Sequence, residues 1–544
     1  MLGNMMDRPL LISQLIEFAA QYHGRTEIVS RTTEGPIHRY TYADCLGRTK
    51  QLANALTKLG VKTGDRIATL AWNNYRHVEL YFGVSGIGAV CHTLNPRLFA
   101  DQLEYIINHA GDRYIFADTT FVPILEGLQG KIDTVEGIVF MTDKANMPET
   151  GLPNVMCYDE LIGAEAAEYD WPEFDERTAS SLCYTSGTTG NPKGALYSHR
   201  STILHTFSIC AAENVGLSSS HVFLPVVPMF HANAWGIPYG CAMTGTKMVM
   251  PGPKLDGPSI YELIDQEDVT FAAGVPTVWL MLLEEMRKQG RAPGALEVML
   301  VGGSAVPRAM IQAFEDEFGL DVFHAWGMTE TSPVGTNGKL LPTMRNKTPD
   351  ERWDVKAKQG RAIFGVDLKI TNDAGEELPH DGKAFGEVHV RGPWIVSGYF
   401  ENEEASEAVI DDEGWFRTGD VATLDPDGVM QIVDRSKDVI KSGGEWISSI
   451  DLENAAIAHP DVAQAAVIGI AHPKWDERPL LIVVPEAGKE PKRDDVIDFL
   501  KDKVAKWWLP DDVQVIDEIP LTATGKISKL DLRKLFSDYK LPTA

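Results

Sequence analysis

The chain reads as an α/β protein: a large N-terminal domain of layered, mostly parallel sheets with a small β-rich unit, followed by a smaller α/β C-terminal domain. Three observations predict this. Strand-period and helix-period segments alternate over residues 40–118 and again over 256–330, the pattern of parallel sheets covered on both faces. From about 360 to 433 the pattern changes to short strands separated by glycine turns, such as FGEVHVRGP and WFRTGDVATLDPDGVMQIV. A polar stretch, DRSKDVIKSGGEWIS, then separates a C-terminal α/β tail that ends in the polar TATGKISK.

Taken in order, the first twenty or so residues, MLGNMMDRPLLISQLIEFAAQ, carry apolar residues every three or four positions. That is an amphipathic surface helix, without the basic segment and long apolar run of a leader. YADCLGRTKQLANALTKLG is a helix ending at a glycine, RIATLAW a buried strand, and HVELYFGVSGIGAV a helix. ADQLEYIINHAGDRYIFAD supplies another helix and strand. In the second region DGPSIYELIDQEDVTFAAGVP, LEVMLVGGSAVPRAMIQAFEDEFG and VFHAWGMTE repeat the style. Ligands of such sheets lie beyond the carboxyl ends of the strands, where VGGSAVP and HAWGMTE fall. The expected division is residues 1–436 and 437–544, with a hinge at Lys437.

Composition narrows the function. Fifty basic against 77 acidic side chains leave a net charge of −27 over 544 residues. Such a surface repels nucleic acid and anionic membranes, so small molecules gathered in local basic pockets are the expected partners. No stretch reaches the length of a membrane span. The six cysteines never form a Cys-x-x-Cys pair, which fits reduced, buried thiols in a cytoplasmic protein.

The most unusual segment is YTSGTTGNPKG, residues 184–194. It lacks the spacing of a Walker loop, which needs Gly-Lys-Ser/Thr: here two residues separate Gly190 from Lys193, and Gly194 follows the lysine. Yet the hydroxyls of Thr185, Ser186, Thr188 and Thr189, the backbone of Gly187 and the Lys193 ammonium would form a concave donor surface for a polyphosphate. Its plain alternative is a flexible surface loop, which the apolar lead-in SSLCY speaks against. KLDG at 254–257 matches the Lys-x-Asp-Gly of covalent nucleotidyltransferases, but so short a match arises by chance in many chains.

YTSGTTGNPKG resembles the signature of adenylate-forming enzymes, the family of acyl-CoA synthetases, luciferases and peptide-synthetase adenylation domains. Six further motifs follow in that family's order: PMFHANAW, VGGSAVP, WGMTETSP, GWFRTGD, DRSKDVIKSGGEW and TATGKISK. The resemblance is strongest to the fatty and short-chain acyl-CoA synthetases, including methylmercaptopropionate-CoA ligase. It implies that a carboxylic acid, ATP and coenzyme A are converted to acyl-CoA, AMP and diphosphate through acyl-AMP, with Mg²⁺. The acid would be a short- or medium-chain fatty acid or 3-methylthiopropanoate, with a long-chain acid as the alternative. An amino-acid adenylation module needs an acid facing the substrate amine, and PMFHANAW has none. The resemblance also makes a homodimer the assembly to test for.

Site roles follow from the same resemblance. Thr185 and Glu330 would hold Mg²⁺, Thr329 would contact the α-phosphate, and the 185–193 loop the leaving diphosphate. Gly302, Gly303, Ser304, His324 and Ala325 would surround the adenine, which would stack on Trp326. Asp420 would accept from both ribose hydroxyls, assisted by Arg435; a carboxylate suits a vicinal diol because it only accepts. His231, Trp235 and Gly302 would line the acyl pocket, with Trp235 either a fixed plug or a gate. Lys437 stands at the hinge position, and Lys441, Gly443, Gly444 and Trp446 would border the pantetheine path. Lys526 would be the adenylation lysine, with His231, Thr329 and Glu330 the other catalytic positions.

Overall fold

In the computed structural model, all residues are described except Leu2, 186–190, Gly444, 523–526 and Ala544, and the side chains of Glu445 and Trp446. Two large sheets form the frame. One has seven strands and runs from Val155–Cys157 through the central Arg66–Leu70 and Val90–Thr93 to Ala179–Tyr184 and Gly194–Ser198. The other has nine, running from Arg361–Ala362 through Asp321–Gly327, Val298–Val301 and Phe271–Gly274 to an edge hairpin, Glu27–Arg31 with Ile37–Thr41. Central pairings are parallel, and antiparallel strands sit at the edges.

Local chemistry starts these elements where the periodicity predicts. The helix Tyr42–Lys58 opens on a reciprocal capping box between Thr41 and Asp44, which satisfies two orphan amides of its first turn. The next helix, Tyr75–Gly86, is capped by Asn74 and buried on every side. It packs on strands of both large sheets and forms part of the layer between them. The helix Ser13–His23 buries Leu15, Ile16 and Ala19 on one face, as its spacing predicts. Lys254–Gly257 is a structural start: the Asp256 carboxylate accepts from Ser259 N at 2.9 Å and caps the helix Gly257–Gln266.

The β-rich unit is a four-stranded antiparallel sheet, Asp367–Thr371, Gly386–Arg391, Phe416–Leu424 and Met430–Arg435. Beyond it, a five-stranded sheet begins at Ile440–Ser442 and centres on the long antiparallel pair Val462–His472 and Asp476–Pro485. This tail has apolar clusters of its own on either face, one around Leu452, Val467 and Leu481, the other around Ile468, Ile482 and Leu532. All six cysteines carry free thiols, five of them buried. Among the described residues no helix is long and apolar enough to cross a membrane.

Candidate active site

Three segments predicted to share a site converge at the carboxyl ends of the nine-stranded sheet. Trp326 ends the strand Asp321–Gly327, and its indole N–H donates to Asp420 Oδ2 at 2.9 Å. Arg435 Nε reaches Asp420 Oδ1 at 2.9 Å, while Arg435 Nη1 donates to Thr418 O. Asp420 and Arg435 are register partners on adjacent antiparallel strands, so sheet pairing sets their contact. A carboxylate has about four acceptor positions. With two used by the indole and guanidinium, two remain for a vicinal diol. The indole N–H thus orients the acid beside it.

Gly302 and Gly303 follow the strand Val298–Val301. A methyl group on Gly302 would lie 3.0 Å from the Trp235 ring and 3.1 Å from Ala325 O, so glycine permits this close approach. Gly303 has φ +84°. His324 is buried, its Nδ1 lies 3.2 Å from Ala357 O, and burial holds its imidazole down at about 4, neutral at physiological pH. Ala325 is buried beside Trp326, whereas Ser304 is exposed.

The turn that contains Trp235 is strained. Ala232, Asn233, Ala234 and Trp235 have φ of 43°, 54°, 50° and 59°, a left-handed turn with no glycine until Gly236. Left-handed backbone costs about 1–2 kcal/mol per L-residue, so neighbours must fix the turn. Asn233 Nδ2 donates to Ser181 Oγ at 2.9 Å and its Oδ1 faces Cys183 Sγ at 3.4 Å. Upstream, the buried Asn73 amide donates to Pro225 O and Val227 O and accepts from Met229 N. Tyr81 OH also donates to Met229 O. His231 begins the turn, its N–H bonded to Pro228 O at 3.0 Å, and Trp235 is buried in the main core.

Glu330 and Thr329 lie in the short 3₁₀ turn Thr329–Thr331. Glu330 is buried, and burial pushes its carboxyl up; against this, Tyr399 OH donates to Oε1 at 2.8 Å. Tyr197 OH donates to Thr329 O at 2.5 Å. At the base of the 185–193 segment, Thr185 N donates to Lys193 O at 2.8 Å, and Lys193 N faces Thr185 Oγ1 at 3.4 Å. Lys193 Nζ sits 5.0 Å from the centre of the Tyr399 ring.

Ser186, Gly187, Thr188 and Thr189 lie outside the described residues, as do Gly444, Lys526 and the Trp446 side chain. Lys437 is exposed; its carbonyl accepts from Arg533 Nη2 at 3.5 Å, and burial of its stem with nearby arginines lowers its ammonium. Lys441 N donates to Glu477 Oε2 at 3.0 Å. Gly443 has φ +61°, its N–H bonds to Trp475 O at 2.9 Å, and the Trp475 ring lies where a side chain would project. Sequence reasoning missed Tyr399, Tyr197 and Asn73. No short-range pattern marks them, because each acts on a segment more than 60 residues away.

Comparison with known proteins accords with this geometry. The AMP-binding enzyme family matches residues 15–400, and the AMP-binding enzyme C-terminal domain matches 451–526. The chain belongs to the AMP-binding enzyme family, in keeping with its fold and its ordered motifs. It is 52% identical over 538 residues to a 3-methylmercaptopropionyl-CoA ligase of Ruegeria lacuscaerulensis, covering 99% of both chains. It is 49% identical over 541 residues to a medium-chain-fatty-acid–CoA ligase of Ectopseudomonas oleovorans, covering 99% of this chain and 98% of that one. The crystal structure of an anthranilate CoA ligase with anthranoyl-AMP shares the fold, with a TM-score of 0.86 at 24% identity over 98% of each chain.

Proposed function

We propose that this AMP-forming acyl-CoA ligase activates a short- or medium-chain carboxylic acid, with 3-methylthiopropanoate within that class. The observation carrying the proposal is the Trp235 indole, buried against Gly302 beside the adenine segment, where it would end the acyl pocket. The near-full-length likeness to ligases named for such acids supports it.

In the first half-reaction a carboxylate oxygen attacks the α-phosphorus of ATP and diphosphate leaves. In the second, the CoA thiol attacks the acyl carbon and AMP leaves. Neither step needs a side-chain nucleophile; both need positioning and charge stabilisation. Asp420 and Arg435 would fix the ribose, Gly302 and Gly303 would admit the adenine, and Trp326 would stack on it. Lys193 and Thr185 would face the diphosphate, Thr329 the α-phosphate, and Lys526 the carboxylate. Among the described residues no cluster of three acidic, histidine or cysteine side chains forms a metal cage. One buried carboxylate, Glu330, and one hydroxyl, Thr185, instead suit a Mg²⁺ held mostly by nucleotide oxygens and water. When bound, that ion would neutralise charge on the leaving diphosphate.

Residues 1–436 and 437–544 would act as two bodies hinged at Lys437, with Gly443, Gly444 and Trp446 bordering the thiol path in one orientation. A cytoplasmic location and a homodimer complete the proposal. The test is CoA-dependent AMP release from acetate, propionate, 3-methylthiopropanoate, butyrate, octanoate, palmitate and benzoate. Highest kcat/KM on palmitate would replace this reading with the long-chain one.

A further inference from the structure

The segment Trp394–Phe400, WIVSGYF, joins the β-rich unit to the helix Glu403–Glu407 and spans two parts of the site. At one end it is tied to the Glu330 turn. Ser332 Oγ donates to Trp394 O at 2.7 Å, Trp394 Nε1 to Val334 O at 3.3 Å, and Val396 N to Glu330 O at 2.9 Å. At the other end Phe400 N donates to Gly194 O at 2.8 Å, on the descending stem of the phosphate loop. The strap thus bridges the acid-bearing turn and the lysine-bearing loop, and Tyr399 lies between them.

Glu330 and Lys193 present an electrostatic problem. Both must remain open to a nucleotide and its cation, yet both reach the same tyrosine, and opposite charges free to approach in a desolvated site attract strongly. A direct pair would close the site before ligand arrived. Among the described residues neither side chain makes an ion pair. Each is instead satisfied by a different part of one tyrosine. The hydroxyl donates to Glu330 Oε1, and the ring lies beneath Lys193 Nζ. A phenol can do both because its edge donor and its negative face are separate surfaces. Tyr399 is held in turn by its backbone N–H, which donates to Ser406 Oγ at 2.8 Å.

We propose that Tyr399 is a positioning residue that keeps the Glu330 carboxylate and the Lys193 ammonium apart, leaving both open to the nucleotide and its cation. The proposal rests on the reading of Glu330 as the metal-facing acid. Only one Glu330 oxygen is used by the phenol, so the other stays available as a ligand. The plain alternative is a tyrosine that only packs the strap.

Calorimetric titration of ATP, with Mg²⁺ and with chelator, separates these readings without relying on turnover. The quantity read is the tightening of ATP binding by Mg²⁺. Tyr399→Phe keeps the ring and loses the hydroxyl, and the tightening should fall roughly tenfold, the scale for a hydrogen bond to a charged group. Tyr399→Leu should also weaken metal-free ATP by several-fold, because Lys193 loses its platform. In a Glu330→Gln background, Tyr399→Phe should produce no further change in the tightening. Unfolding midpoints accompany each variant, and the volume-conserving Phe variant keeps the test valid if Leu misfolds. If Glu330→Gln removes the tightening and Tyr399→Phe preserves it, or if the two effects add, the positioning role is refuted. If Glu330→Gln itself preserves the tightening, the metal assignment fails, and this proposal with it.

Discussion

Trp235→Gly asks whether the acyl pocket ends at this indole. The side chain is 7% exposed, and its ring touches the space over Gly302. Truncating a buried tryptophan costs about 3–5 kcal/mol. Residue 235 has φ 59°, however, which glycine adopts freely, so about 1–2 kcal/mol of strain is relieved. A net loss of about 1–4 kcal/mol should leave the enzyme folded. The vacated space then accepts chain, and each buried methylene is worth about 0.8 kcal/mol, roughly fourfold in kcat/KM. From octanoate to decanoate the variant should therefore gain about fifteenfold relative to wild type. The assay is CoA-dependent AMP release with acids of increasing length, alongside the KM for ATP, which should not change. An unaltered chain-length profile would remove Trp235 from the acyl site. A wild type that already uses long acids, with the variant altering mainly their KM, would make the indole a gate.

Asp420→Ala should weaken ATP binding by about 1.5–3 kcal/mol, and deoxy-ATP should then bind variant and wild type nearly alike. Undiminished discrimination would refute the ribose assignment. Lys526→Ala should abolish acyl-AMP formation yet retain much of the conversion of supplied acyl-AMP and CoA to thioester, while Gly444→Trp should do the reverse. Equal loss of both half-reactions in folded variants would refute a site that presents two faces in turn. Acid should destabilise the fold below the ordinary histidine range. Burial holds His77 and His324 down at about 4 and His199 and His205 at about 3, so from pH 6.5 downward the unfolded chain binds protons that the folded chain rejects. Each histidine contributes stability above pH 6.5 that is lost toward pH 4, at up to about 1.4 kcal/mol per pH unit. Asp118, pushed up to about 7 by burial, acts in the opposite sense, as do the buried Glu79 and Asp112 carboxyls that burial also raises, and together they offset part of this loss. A denaturant midpoint unchanged between pH 7 and 5 would contradict this.

The sequence by itself determined what depends on near neighbours. Helices began at Thr41 and Asn74 because a short polar side chain there caps the next turn. Strands and helices alternated because periods of two and 3.6 are local properties of a chain with one buried face. The order of seven motifs was likewise legible, and with it the family. Tertiary structure decided how distant groups divide the work. Trp326 and Asp420 are 94 residues apart on different sheets, and only the packing of the four-stranded sheet against the nine-stranded one brings the indole N–H to the carboxylate. Asn73 braces a segment more than 150 residues away, and the left-handed turn at Ala232–Trp235 holds a shape that no residue preference selects. PMFHANAW contains no glycine to announce positive φ; the turn is held by the bonds of Asn233 with Ser181 and Cys183, while Asn73 fixes the segment leading into it. Local patterns encode which face is buried, whereas packing between sheets sets which two side chains meet across it.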